Sequence, residues 1–152
     1  MEVNMNKLSI TNFKTLIYKK NYKENHKEKS TKESNKARSI GSIAEDIACD
    51  YLKKQKLELI EKNYLCKQGE IDLIMQDQHY LVFIEVRYRK TIAFGTPLET
   101  ISKHKLKRIQ TAINHYTMKN NLGYIPCRVD VVGLHGKLMQ PDINWVKNIF
   151  TN

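Results

Sequence analysis

Residues that mark several large function classes are scarce or badly spaced in this chain. Three cysteines in 152 residues, Cys49, Cys66 and Cys127, stand far apart and in no CxxC arrangement. That spacing argues against a disulfide framework and against a zinc ribbon, and the three read as small core or half-buried residues. No apolar run approaches the ~20 residues that a membrane helix needs, and the N-terminus lacks the unbroken ~7–15-residue apolar stretch of a secretory signal. A cytoplasmic protein with no membrane span is the expectation. The six glycines form no phosphate-cradling loop, and the five histidines, His26, His79, His104, His115 and His135, show neither HExxH nor HNH-like spacing. No internal repeat is visible. Acidic residues are the scarcer charge: 16 Asp and Glu face 26 Lys and Arg, a formal charge of +10. Such an excess points to polyanionic partners. The length suits one packed domain with an appended segment, and 41% hydrophobic residues suffice for one core.

Charge divides the chain unevenly. Residues 1–40 hold ten Lys and Arg against four Glu, a net +6, which leaves +4 for the rest. The stretch NYKENHKEKSTKESNK, residues 21–36, has almost nothing to bury and has the composition of a solvated tether. Before it, Leu8, Phe13, Leu16 and Ile17 beside Lys14, Lys19 and Lys20 suit either a short basic amphipathic helix or a frayed terminus. Residues 1–38 are therefore assigned to a basic, disordered extension and residues 39–152 to the folded domain.

From residue 39 the periodicity sharpens. Ile40, Ala44, Ile47, Ala48, Tyr51 and Leu52 recur at three- and four-residue spacings, predicting a helix from Ser39 to Lys54 with Ser39 or Ser42 as its N-cap. Strand composition follows in residues 57–65, in EIDLIM (residues 70–75) after a Gly69 turn, and in YLVFIEVRYR (residues 80–89). A loop with Gly95 and Pro97 leads to a second helix that groups Ile101, Leu106, Ile109, Ala112, Ile113 and Tyr116 and ends near Asn121 and Gly123. CRVDVVGL, after Pro126, is another strand, and INWVKNIF closes the chain beside the sheet or over its edge. The predicted order is αβββαβ with a short β-like tail.

Carboxylates interrupt two of these strands. Alternation places Glu70, Asp72 and Ile74 on one side of their strand, and Phe83, Glu85, Arg87 and Arg89 on one side of theirs. Asp72 and Glu85 thus sit among Ile, Leu, Val and Phe, where a charge is expensive unless it is paired or bound to a cation. A connection from Asp77 to Tyr80 pairs Gln76 with Leu81 and sets Asp72 opposite Glu85, with Cβ atoms ~4.5–5.5 Å apart. A connection of Asp77 and Gln78 alone leaves Glu85 diagonal to Asp72, at ~7–8 Å. A surface Asp-Glu-Arg cluster, with Arg87 as the partner, is one reading of this spacing. A metal site is the other. Glu45, at the margin of the first helix's apolar stripe, converges on Asp72 and Glu85 if that helix packs across the acidic face of the sheet. Three hard oxygen ligands suit Mg²⁺ or Mn²⁺ rather than zinc.

These pieces occur together in one known pattern. Gly41-x-x-Ala44-Glu45, GEIDLI at residues 69–74, VFIEVRYR at residues 82–89, Gly95, Lys103 and CRVDVV at residues 127–132 resemble the YraN-like family of small uncharacterised bacterial proteins. The likeness spans about residues 39–150, and GEIDLI followed by FIEVR is its most specific part. That family is similar to the restriction-endonuclease-like superfamily, which implies an α/β fold with an αβββαβ core, a mixed central sheet flanked by helices. It also implies nucleic-acid binding, DNA rather than RNA, with Mg²⁺-dependent endonuclease chemistry. Carried over by position, Glu45, Asp72 and Glu85 become the metal-binding acids, with a carbonyl ligand from Val86. Arg87 falls where the superfamily has a lysine; arginine stays protonated and can only stabilise charge or grip phosphate. Lys103, Lys107 and Arg108 on the second helix are candidates for gripping the flanking backbone, or else a solvated helix face. Two rival functions remain beside a nuclease. One is an inactive module that docks nucleic acid, favoured by Arg87; the other is a protein-interaction adaptor whose acids are paired structurally.

Overall fold

A computed structural model of the chain describes residues 39–91, 101–123 and 125–150. The basic extension, residues 1–38, and the Gly95–Pro97 loop lie outside the described residues. Two helices and five strands are described: α1 (Ile40–Lys54), β1 (Glu58–Cys66), β2 (Gly69–Asp77), β3 (Tyr80–Arg89), α2 (Lys103–Lys119), β4 (Cys127–Lys137) and β5 (Gln140–Val146). The αβββαβ order holds, and the tail is a fifth strand.

Both helices start and stop by the same local chemistry. Ser39 caps α1, its hydroxyl oxygen accepting from the Ser42 amide at 3.1 Å, and Ser102 caps α2 by accepting from the Lys105 amide at 3.2 Å. Each cap satisfies one of the four amides that a helix start leaves without partners. At the other ends Lys56 (φ 70°) and Asn121 (φ 55°) turn left-handed. The next amides, of Leu57 and Leu122, then reach back to the carbonyls of Leu52 and Thr117 at 3.1 and 2.8 Å. This is a Schellman closure, and Leu57 and Leu122 are buried as its hydrophobic plugs.

The strands form one sheet in the order β1-β2-β3-β4-β5, antiparallel except for the parallel pair β3–β4. Parallel neighbours need a crossover, and α2 lies within it. On one face Ala44, Ala48, Cys49 and Leu52 of α1 pack on Leu73, Met75, Val82, Ile84, Val132 and Leu134. On the other, Tyr116 of α2 meets Phe83 edge to face at 5.8 Å between centroids. The two helices therefore sandwich the sheet, which explains why β2, β3 and β4 are apolar on both sides.

Several expectations change in detail. Ile40 is 60% exposed, because it occupies the first helical position and lies beyond the packed turn. Cys127 is exposed, although Cys49 is fully buried, and all three cysteines are free. Gly69 serves less as a turn than as a gap. A Cβ there would lie 2.6 Å from the Arg108 carbonyl oxygen and 3.5 Å from the Ala112 Cβ, so the missing side chain is what lets α2 approach the start of β2. No described helix is long and apolar enough to cross a membrane.

Candidate functional site

The β2–β3 hairpin decides how its acids meet. Gln76 pairs with Leu81 and Asp77 with Tyr80, which is the first of the two registers considered, with the turn at Gln78 and His79. The ladder then stops at Leu73–Ile84, one pair short of Asp72 and Glu85. The reason is chemical. The Val86 amide donates to Asp72 Oδ2 at 2.7 Å, so a carboxylate occupies the place of a backbone acceptor. Pairing of β2 with β1 continues to Cys66–Gly69, and Asp72 is left where one ladder ends and the other goes on.

Glu85 points to the α2 side of the sheet with Phe83, and its side chain is only 4% exposed. Arg87 Nε lies 3.3 Å from Glu85 Oε1, an ion-pair distance without hydrogen-bond alignment. The second cation comes from α2. Lys105 Nζ sits 3.2 Å from Glu85 Oε1 and 3.3 Å from Glu70 Oε1. Glu85 Oε2 is buried and has no hydrogen-bond partner among the described residues. Burial pushes the Glu85 carboxyl up to about 7, with Asp72 adding to the rise and Lys105 and Arg87 opposing it. Asp72 is also raised, by burial first, against the lowering pull of the Val86 amide and Lys105. Two neighbouring acids whose carboxyls are both pushed up by burial are what a site awaiting more positive charge looks like.

Glu45 arrives differently from the sequence expectation. The helix that carries it packs on the Leu73–Ile84 face, not across the side that Glu85 occupies, because its small residues Ala44, Ala48 and Cys49 fit that apolar surface. Even so, its carboxyl is raised by burial and by the charge of Asp72, and it accepts a hydrogen bond from the Asn63 side chain. Asn63 (φ 53°) is the left-handed residue of β1. Asp72, at the end of the ladder, thus feels an acid from α1 and a cation from α2. Among the described residues no group of three or more His, Cys, Asp and Glu side chains is placed to hold a metal. Asp72 and Glu85 are the two acids that could hold a divalent cation. Such a pair fits Mg²⁺ or Mn²⁺, since Mg²⁺ is ordinarily held by one or two carboxylates and keeps several waters, and the orphaned Glu85 oxygen supplies the open acceptor.

Lys103, Lys107 and Arg108 are exposed on α2. Lys105 was the residue that sequence reasoning passed over. Its signal is visible in hindsight: at positions 105, 109, 112 and 116 the helix presents Lys, Ile, Ala and Tyr, so one lysine heads an otherwise apolar stripe. Asp130 pairs with Arg128 at 3.1 Å, and it also accepts from the Trp145 indole at 3.0 Å and the Asn148 amide at 2.9 Å. That cluster ties β4, β5 and the tail together.

Fold and site together define a small α/β protein whose mixed sheet carries a half-buried and a buried acid at a ladder's end, met by one cation from a strand and one from a helix. The family is established by sequence. A model described as Uncharacterised protein family UPF0102 matches residues 44–134, and the chain belongs to that family. Among similar proteins, a UPF0102 protein of Colwellia psychrerythraea is 46% identical over 112 residues, 72% of this chain and 87% of that protein. One from Saccharophagus degradans is 44% identical over 117 residues, 76% and 96% of the two chains, and one from Coxiella burnetii is 47% identical over 112 residues, 73% and 91%. The matched region contains every acid of the site.

Proposed function

We propose that this protein binds nucleic acid and hydrolyses phosphodiester bonds, with DNA as the substrate and a divalent cation held by Asp72 and Glu85. The observation that carries the reading is the buried, unpartnered Glu85 Oε2 beside a second acid, on the strand pair where the sequence resemblance puts metal-binding carboxylates. A Mg²⁺ or Mn²⁺ bound there supplies Lewis-acid activation of water and shielding of developing charge. Arg87, fixed as a guanidinium, grips a non-bridging phosphate oxygen. Glu45 adds negative charge from the opposite layer and tightens cation binding through Asp72. Exposed Lys103, Lys107 and Arg108 hold the flanking backbone, a contribution that positions without specifying sequence.

The test is cleavage of labelled duplex, branched and single-stranded DNA by the purified chain with Mg²⁺ or Mn²⁺. Asp72→Ala and Glu85→Ala are each expected to abolish it. Cleavage that survives both substitutions removes the metal assignment. Arg87 in place of lysine favours a second reading, a module that binds and does not cut. For that module, Arg87→Lys leaves binding as it was and brings no cleavage.

A further inference from the structure

Position 87 carries an arginine, yet the site does not lack a lysine. We propose that Lys105, delivered from α2, is a catalytic residue that donates to the scissile phosphate, filling in space the role that position 87 does not fill in sequence. The inference rests on the phosphodiesterase reading above.

Three observations carry it. Lys105 Nζ lies within 3.3 Å of Glu70 Oε1 and 3.2 Å of Glu85 Oε1, so it stands at the acid pair and not on the solvated side of the helix. An ammonium has three N–H donors, and these two contacts account for two, leaving the third for a substrate oxygen. The residue sits on the α2 stripe of Ile109, Ala112 and Tyr116, with Ile101 just before the helix, and all four of these neighbours are buried. A helix that needed only packing or solubility has no use for a charge there, and methionine of similar length would fill the place without desolvating an ammonium. Arg87 and Lys105 thus both approach Glu85 Oε1 from two separate elements, one a planar fork and the other a compact point charge.

In the reaction the oxygen of a water forms a bond to phosphorus and the bond from phosphorus to the leaving sugar oxygen breaks. The water's proton passes to solvent, and the leaving oxygen takes one up. Lys105 remains an ammonium throughout. It donates to a non-bridging oxygen whose negative charge grows as the new bond forms, and the preceding contact with Glu85 keeps it oriented.

The experiment measures affinity of the full chain for a fluorescein-labelled DNA duplex with a single-stranded overhang, in Ca²⁺ and in EDTA, before any cleavage is assayed. Lys105→Met keeps the apolar stem and removes the ammonium. The expected result is a loss of roughly ten- to hundredfold in affinity in Ca²⁺, the worth of one charge-assisted hydrogen bond, with a change of no more than about threefold in EDTA. Adding Arg87→Lys to Lys105→Met is expected to restore most of the Ca²⁺-dependent affinity. An ion pair that merely docks α2 on the sheet lowers the melting temperature in both variants and leaves the Ca²⁺ dependence intact. If wild type binds DNA with Ca²⁺ dependence and Lys105→Met keeps it, the lysine assignment falls while the functional reading stands. If wild type binds no DNA, the functional reading falls and takes this assignment with it. Lys105→Gln replaces the methionine variant, with the same expectations, should the latter fail to fold.

Discussion

A buried acid with a raised pKa leaves a thermodynamic trace that needs no substrate. Glu85 titrates near 7 in the folded chain against an ordinary 4.5. The folded state therefore holds its proton over a range where the unfolded chain has released it. Stability from this group is fully present below about 4.5 and is lost as pH rises through about 7. Glu85→Gln, which mimics the protonated form, is expected to leave stability nearly unchanged at pH 5 and to raise it at pH 8. The gain at pH 8 should be on the order of 2 kcal/mol, measured by urea denaturation at both pH values. An acid kept for structure gives the opposite sign: removing a well-paired carboxylate destabilises the fold at high pH. Asp130 is that contrasting case. It is fully buried, yet it accepts from Arg128, Trp145 and Asn148, so Asp130→Ala is expected to cost about 3–5 kcal/mol.

Elements carry their own tests, because each boundary in this chain has a local cause. Lys56 closes α1 in a left-handed conformation that glycine adopts freely, and its side chain is exposed. Lys56→Gly should stabilise the domain by about 0.5–1 kcal/mol, seen as a melting temperature a few degrees higher. Gly69 is the reverse. Its place beneath the Arg108 carbonyl admits no Cβ, so Gly69→Ala has to push α2 away from β2. The expected cost is about 1–3 kcal/mol, as for other overpacked contacts, and the shift draws Lys105 back from Glu85. DNA affinity in Ca²⁺ is then expected to fall together with stability, whereas Lys56→Gly leaves it alone.

At the scale of the molecule the site is a meeting of layers. Asp72 and Glu85 belong to the sheet, Lys105 to one helix layer and Glu45 to the other, so ligand binding there engages the whole domain. Mn²⁺ at a hundred times its dissociation constant should stabilise the wild-type chain by about 2.7 kcal/mol, read as a melting temperature several degrees higher. Asp72→Asn is expected to remove that shift. The formal charge of +10 adds a second global expectation. DNA affinity should fall steeply and log-linearly with salt, since each phosphate contact releases counterions; a flat salt response would falsify the nucleic-acid reading as a whole.

The sequence by itself determined the elements, because their causes are local. Ser39 has the oxygen that an N-cap needs, the stripe from Ala44 to Leu52 has helical spacing, and the runs at residues 70–75 and 80–89 have strand composition and a turn between them. It also singled out Asp72 and Glu85, because charged residues inside apolar strands are visible without coordinates. Only the tertiary structure decided what surrounds them. Where the β2–β3 ladder stops depends on a side-chain carboxylate taking the Val86 amide, an exchange that no alternation pattern encodes. Which face each helix covers depends on how small residues on α1 and the gap at Gly69 let two bodies approach. That choice put Lys105, not Glu45, directly on Glu85. Periodicity fixes which side chains share a face of their own element. Packing between elements fixes what those side chains touch.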